Sequence, residues 1–134
     1  MERLKILVVD DESRMRKLVR DFLVREDYEV LEASNGEEAM EVFYKDHDID
    51  LLILDIMMPK MDGWQVCREV RKTSKVPIIM LTALEDEPNI LHGFECGVDD
   101  YVTKPFSFRQ LLARINAHMR RPHTSETSSV KNTG

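Results

Sequence analysis

The chain has 134 residues, 43% of them hydrophobic, with a formal net charge of -6. That length supports one domain with a single core covered on both sides. The acidic balance excludes a surface built to neutralise nucleic-acid phosphates.

Ile6-Leu7-Val8-Val9 is short, β-branched and apolar, and it breaks at Asp10-Asp11-Glu12, which reads as a buried strand running into an acidic loop. Met15, Leu18, Val19, Phe22 and Leu23 recur at helical spacing. They predict a helix begun near Ser13 with one apolar stripe, and Arg14, Arg16, Lys17 and Arg20 on its solvated face. Residues 28–33 read as a second strand. Ser34-Asn35-Gly36-Glu37 fits a capping box between Ser34 and Glu37, opening a helix with Ala39, Met40 and Phe43 inward that ends near Asp46.

Leu51-Leu52-Ile53-Leu54-Asp55 is an almost unbroken apolar run, the natural central strand of a covered sheet, with Asp55 where the strand, about residues 49–54, runs out. Pro59 and Gly63 bracket a loop, and Val66, Cys67 and Val70 share one face of a third helix. That placement makes Cys67 a core residue rather than a nucleophile. Residues 76–81 predict a fourth strand, with Pro77 at its start and Thr82-Ala83 at its end. Pro88 suits the first turn of a fourth helix running to about Cys96, with Gly97 as its stop. Asp99 to Thr103 form a brief fifth strand. Lys104-Pro105-Phe106 then turns into a fifth helix capped by Ser107, carrying Leu111, Leu112, Ile115 and Met119 inward and closed by Pro122.

The expected organisation is one domain over residues 1–121 and a flexible tail or truncated linker over 122–134, where Ser, Thr, His and Asn dominate. Cys67 and Cys96 form no CxxC pair, so the sequence offers neither a dithiol motif nor a zinc site, and two thiols without a framework fit a reducing compartment. His47, His92, His118 and His123 are scattered over helices and tail as solvated or core residues rather than metal ligands. No stretch reaches the roughly 18 consecutive apolar residues of a membrane helix, and no signal peptide pattern opens the chain, so a soluble cytoplasmic protein with no membrane partner is expected.

Five alternations of strand and helix define an α/β fold: a single doubly wound five-stranded parallel sheet with helices on both faces and right-handed crossovers. Such sheets offer one crevice for chemistry, beyond the carboxyl ends of their strands. Asp10, Asp11, Asp55, Thr82 and Lys104 all fall at that edge. Carboxylates gathered together repel one another unless a cation shares the site, and oxygen ligands of this kind suit Mg²⁺. With Lys104 and the Thr82 hydroxyl at hand, the charge of a transferring phosphoryl group can be neutralised, and Asp55 is the candidate acceptor. Taken singly, each residue has an ordinary reading as a turn cap or local ion pair. Five of them at successive strand ends outweigh it.

Four motifs now carry a resemblance: residues 6–12 (ILVVDDE), residues 54–63 (LDIMMPKMDG), residues 81–83 (LTA) and residues 99–106 (DDYVTKPF). Over about residues 3–121 the sequence resembles the response-regulator receiver domains of two-component signalling. The resemblance implies a flavodoxin-like receiver fold and a phosphorylation-activated switch, without conventional turnover of an external substrate. Asp55 matches the phosphoacceptor, and its donor would be the phosphohistidine of a sensor histidine kinase. Asp10, Asp11, Asp55 and the backbone carbonyl of Met57 match the ligands of Mg²⁺, or of Mn²⁺ in its place. Thr82 matches the switch hydroxyl, Tyr101 the aromatic whose rotamer follows it, and Lys104 the cation that pairs with the phosphoryl group.

Residues 99–106, Leu111-Leu112-Ala113-Arg114 and Arg120-Arg121 further resemble the OmpR/PhoB class, which implies a two-fold homodimer on phosphorylation through the fourth helix, fifth strand and fifth helix. Its cross-dimer ion pairs fall at Asp99 with Arg114 and at Asp100 with Arg121. A third pair, usually a basic residue with a Glu, falls at Ile90 and Gln110 and is lost. DNA is expected only through the C-terminal winged-helix domain of that class, which this chain lacks; it is either cut in the linker or a free-standing receiver. The family's self-dephosphorylation depends on positions that are Met57 and Leu84 here, neither able to orient a water, which implies slow hydrolysis. Met57 also occupies the place of the second aspartate of haloacid-dehalogenase-type phosphatases, which disfavours that reading. A receiver-like module that works without phosphorylation is disfavoured because all five edge residues are present.

Overall fold

The computed structural model describes residues 3–83 and 96–124. Five strands, β1 (Lys5–Val9), β2 (Glu29–Ala33), β3 (Leu51–Asp55), β4 (Ile78–Ala83) and β5 (Asp100–Lys104), form one parallel sheet in the order β2-β1-β3-β4-β5. Four helices are described: α1 (Ser13–Arg25), α2 (Gly36–Lys45), α3 (Gly63–Arg71) and α4 (Phe108–Thr124). The helix expected from Pro88 to Cys96, with Ile90, lies, apart from Cys96 itself, outside the described residues, as do Leu84, the tail beyond residue 124 and the side chain of Arg121.

Strand pleating sends successive side chains to opposite faces, so a central strand covered on both sides must be apolar throughout. In β1 and β3, Leu7, Val9, Leu52 and Leu54 meet α2 and α3 through Ala39, Met40, Val66, Cys67 and Val70. Ile6, Val8, Leu51 and Ile53 meet α1 and α4 through Val19, Leu23, Leu111, Ile115 and Met119 on the other face. Each such Leu or Ile, fully withdrawn from water, contributes about 1.5–3 kcal/mol. The doubly wound architecture follows.

Several local expectations are corrected. The cap of α2 is Asn35, whose side chain accepts from the Glu38 amide at 2.8 Å. Ser34 instead donates through its amide and hydroxyl to Glu38 Oε1 at 2.6 and 2.7 Å, so the cap lies one residue further on than Ser34 and Glu37 and is not a reciprocal box. Leu18 is exposed while Val19 and Leu23 are buried, because the stripe of α1 faces the sheet at 19 and 23 and its edge at 18 reaches solvent. β4 starts at Ile78; Pro77 contributes only its carbonyl, which accepts from Leu52. Lys104 belongs to β5 rather than to the turn after it. α4 continues to Thr124, so Pro122 does not close it; a proline in a last turn removes only one helical hydrogen bond. The Ser107 cap is present, with Oγ accepting from the Gln110 amide at 3.0 Å.

Candidate functional site

Strand register builds the site. Val9 pairs with Leu54, which sets Asp10 beside Asp55 in the crevice where the chain reverses direction between β1 and β3. Asp55 pairs with Leu81, so Thr82 stands one residue beyond it on β4. Ala83 pairs with Lys104 on β5. Four adjacent strands thus deliver their last side chains to one edge.

Asp10, Asp11 and Asp55 each offer a carboxylate oxygen, all within 4.8 Å of one another. Asp10 is 1% exposed, Asp55 7% and Thr82 2%, whereas Asp11 lies on the open rim. Lys104 Nζ reaches from β5 to Asp55 Oδ1 at 3.3 Å and stands 3.9 Å from Asp10 Oδ2. Asp10 Oδ1 accepts from the Glu12 amide at 3.0 Å. Its other oxygen, Oδ2, is buried with no hydrogen-bond partner. A buried acceptor left in that way costs about 1–3 kcal/mol, more when charged.

Burial pushes the Asp55 carboxyl from 3.8 up to about 6, the negative charge of Asp10 adds to this, and Lys104 opposes it. On formal charges the three carboxylates therefore outnumber Lys104, the cation that reaches them, by two.

The frame around Asp55 depends on two residues beyond those at the strand ends. Gly63 opens α3 directly against the end of β3: a Cβ there would lie 2.5 Å from the carbonyl oxygen of Asp55 and 3.0 Å from Ile56 Cα. Its amide also donates to the Ile56 carbonyl at 3.0 Å. The sequence marked Gly63 only as a loop bracket. Arg16, expected on a solvated face, is instead drawn in; its Nη1 donates to the Asp10 carbonyl at 2.8 Å and its Nε pairs with Glu32 at 2.9 Å. The acidic residue on β2 is what draws it in. Met57 is 70% exposed at the start of the loop after β3.

The residues expected further out are placed as follows. Tyr101 is half-buried and packs against the α2–α3 side of the core, where burial raises its phenol to about 12. Asp99 Oδ2 accepts from Arg71 Nη2 and from the Ile78 amide, both at 2.8 Å. Asp100 is approached by Arg114 Nη1 at 3.3 Å and His118 Nε2 at 3.1 Å, so within one chain Arg114 faces Asp100 rather than Asp99. Gln110 is exposed on α4.

Residues 6–116 match the response regulator receiver domain family. A probable transcriptional regulator, ycf27, of Cyanidium caldarium is 55% identical over 119 residues, covering 89% of this chain and 47% of that protein. The transcriptional regulatory protein ResD of Bacillus subtilis is 51% identical over 124 residues, covering 92% of this chain and 50% of that protein. The chain therefore spans about half the length of the curated relatives it matches. Among solved structures, a two-component response regulator from Clostridium difficile superposes with a TM-score of 0.86 at 30% identity, covering 91% of this chain and 100% of that one. A response regulator from Chloroflexus aurantiacus does so with 0.83 at 36%, covering 90% and 100%.

Proposed function

Since the chain belongs to the response regulator receiver domain family, we propose that Asp55 accepts a phosphoryl group from the phosphohistidine of a sensor histidine kinase and thereby works a two-state switch. The observation that carries this reading is Asp10 Oδ2, a buried carboxylate oxygen without a hydrogen bond beside two further carboxylates. An all-oxygen donor set of Asp10, Asp11, Asp55 and the Met57 carbonyl fits Mg²⁺, or Mn²⁺ in its place. When bound, the cation supplies the positive charge that offsets the carboxylates and the incoming phosphoryl oxygens.

The protein's own groups do the rest. With its carboxyl raised to about 6, Asp55 is largely ionised at neutral pH and can attack phosphorus as the bond to the histidine nitrogen breaks. Lys104, already 3.3 Å from Asp55, pairs with the added charge. The Thr82 hydroxyl donates to a phosphoryl oxygen, and Tyr101 follows its displacement. Phosphorylation adds about 1.5–2 negative charges, and contacts made to them in only one state bias the equilibrium toward that state.

The output in this reading is a phosphorylation-enhanced homodimer through the face bearing Ile90, Asp99, Asp100, Gln110, Arg114 and Arg121, controlling transcription through a DNA-binding domain outside this chain. The names of the relatives as transcriptional regulators support it. Because Asp99 and Asp100 are held by Arg71, Arg114 and His118 within the chain, pairing between copies requires an exchange of partners.

Trp64, the sole tryptophan, follows Gly63, whose backbone abuts Asp55, and serves as the fluorescence probe. Millimolar Mg²⁺ should change the wild-type signal, acetyl phosphate should change it further, and Asp10→Asn should lose the first response. A wild type indifferent to Mg²⁺ and to acetyl phosphate overturns the reading.

A further inference from the structure

The two cysteines, 29 positions apart in sequence, meet between α3 and the segment leading into β5. Cys67 lies on the inward face of α3, fully buried, and its thiol donates to the Cys96 carbonyl oxygen at 3.2 Å. Cys96 is half-buried against the same part of the core, and its Sγ is 3.5 Å from Arg68 Nη1. Neither is in a disulfide. Tyr101 packs into the same cluster.

These surroundings give the two sulfurs different chemistry. The Arg68 guanidinium and partial exposure leave the Cys96 sulfur within reach of small polar oxidants, which a cysteine attacks as its thiolate. Burial holds Cys67 protonated, with its thiol pushed up to about 11, so it stays inert until an electrophilic sulfur appears beside it. An accessible cysteine flanked by a cation, next to a sheltered second cysteine, is the arrangement of a reactive thiol with its resolving partner.

We propose that Cys96 and Cys67 form a peroxide-responsive pair that closes reversibly into a disulfide tying α3 to the segment before β5. The Cys96 thiolate attacks one oxygen of hydrogen peroxide; the O–O bond breaks, leaving a sulfenic acid on Cys96 and hydroxide. Cys67 gives up its proton and attacks the Cys96 sulfur. The S–S bond forms, the S–O bond breaks, and the departing oxygen leaves as water. Counting the proton first lost by Cys96, two thiols are oxidised and one peroxide becomes two waters. The Cys67 sulfur already rests on the Cys96 main chain, 3.2 Å from its carbonyl oxygen.

The tie would add to one already present. Arg71 Nε donates to the Gly97 carbonyl at 3.0 Å and its Nη2 to Asp99 at 2.8 Å, so α3 holds this bend, where Gly97 takes φ +96. A covalent link one residue earlier would fix the approach to β5, the strand that carries Tyr101 and Lys104. The proposal goes beyond the phosphoacceptor reading and does not depend on it.

The test treats the full chain with stoichiometric hydrogen peroxide, removes the excess with catalase, alkylates, and measures intact and peptide masses. The wild type should lose the mass of two hydrogens, resist alkylation at both cysteines and yield one linked peptide pair. Dithiothreitol should reverse all three. Cys96→Ser should retain an unoxidised Cys67, while Cys67→Ala should leave a Cys96 sulfenic acid that dimedone traps. Asp55→Ala should behave as wild type, which separates this site from the phosphoacceptor. A wild type that keeps both thiols, or adds oxygen at Cys96 without the link, overturns the proposal.

Discussion

Asp55→Asn tests the charge balance of the site without disturbing its shape. In the metal-free protein the Asp55 carboxyl is raised from 3.8 to about 6, chiefly by burial and then by the charge of Asp10. At 1.36 kcal/mol per pKa unit, that displacement sets a ceiling of about 3 kcal/mol on the cost of ionising Asp55 in the fold. Screening by solvent at a crevice open on the Asp11 side brings this to about 1–2 kcal/mol. The sign follows from proton binding. A folded-state value above the unfolded one means the folded chain holds more protons between about pH 4 and pH 6, so stability falls as pH rises through that window and is flat beyond it. The asparagine variant should therefore be more stable than wild type by about 1–2 kcal/mol above pH 7, with the difference vanishing below about pH 4. For a domain of this length that is a rise in Tm of about 3–10 °C. Thermal unfolding followed by circular dichroism in EDTA, from about pH 4 to pH 8, measures it; millimolar Mg²⁺ should raise the wild type selectively and close the gap. A Tm difference independent of pH, or a wild type more stable than the variant at pH 8, refutes the reasoning.

Gly63→Ala drives a Cβ to within 2.5 Å of the Asp55 carbonyl oxygen, a backbone atom that cannot swing away. It should cost about 1–3 kcal/mol in thermal or urea unfolding and slow phosphorylation, whereas a neutral result would show that the frame of the site yields readily. Sedimentation of wild type with a phosphoryl analogue and Mg²⁺ should give a dimer at tens of micromolar, since individual exposed ion pairs contribute only about 0–1 kcal/mol and the loss at Ile90 and Gln110 is tolerable; a persistent monomer contradicts the assigned face. Met57→Asn combined with Leu84→Glu should shorten the aspartyl phosphate lifetime about tenfold or more, and an unchanged decay rate removes the expectation that Met57 and Leu84 slow its hydrolysis.

The clustering of the candidate residues was legible in the sequence because strand ends are. An apolar run that stops at Asp10, Asp55 or Thr82 reveals both a buried strand and the polar group at its carboxyl edge, and parallel topology brings those ends together. What escaped notice depends on contacts between segments far apart in the chain. Arg16 reads as a solvated helix residue until Glu32 on β2 and the Asp10 carbonyl are seen to hold it. Gly63 reads as loop punctuation until the backbone of Asp55 is found where its Cβ would be. Asp99 is claimed by Arg71 on α3 through a fold-level contact that no local pattern encodes. The displaced cap of α2 has a different origin: Ser34-x-x-Glu37 and Asn35-x-x-Glu38 are overlapping and equally good signatures, and the backbone selects the second.

Phosphoryl transfer to Asp55 is measured most directly by exposing the full chain to acetyl phosphate with Mg²⁺ and mapping the added mass by peptide. Wild type should gain one phosphoryl group on the peptide that contains Asp55, labile to hydroxylamine and absent when EDTA replaces Mg²⁺, and Asp55→Ala should gain none. Equal labelling of wild type and Asp55→Ala, or labelling indifferent to the metal, would contradict the account.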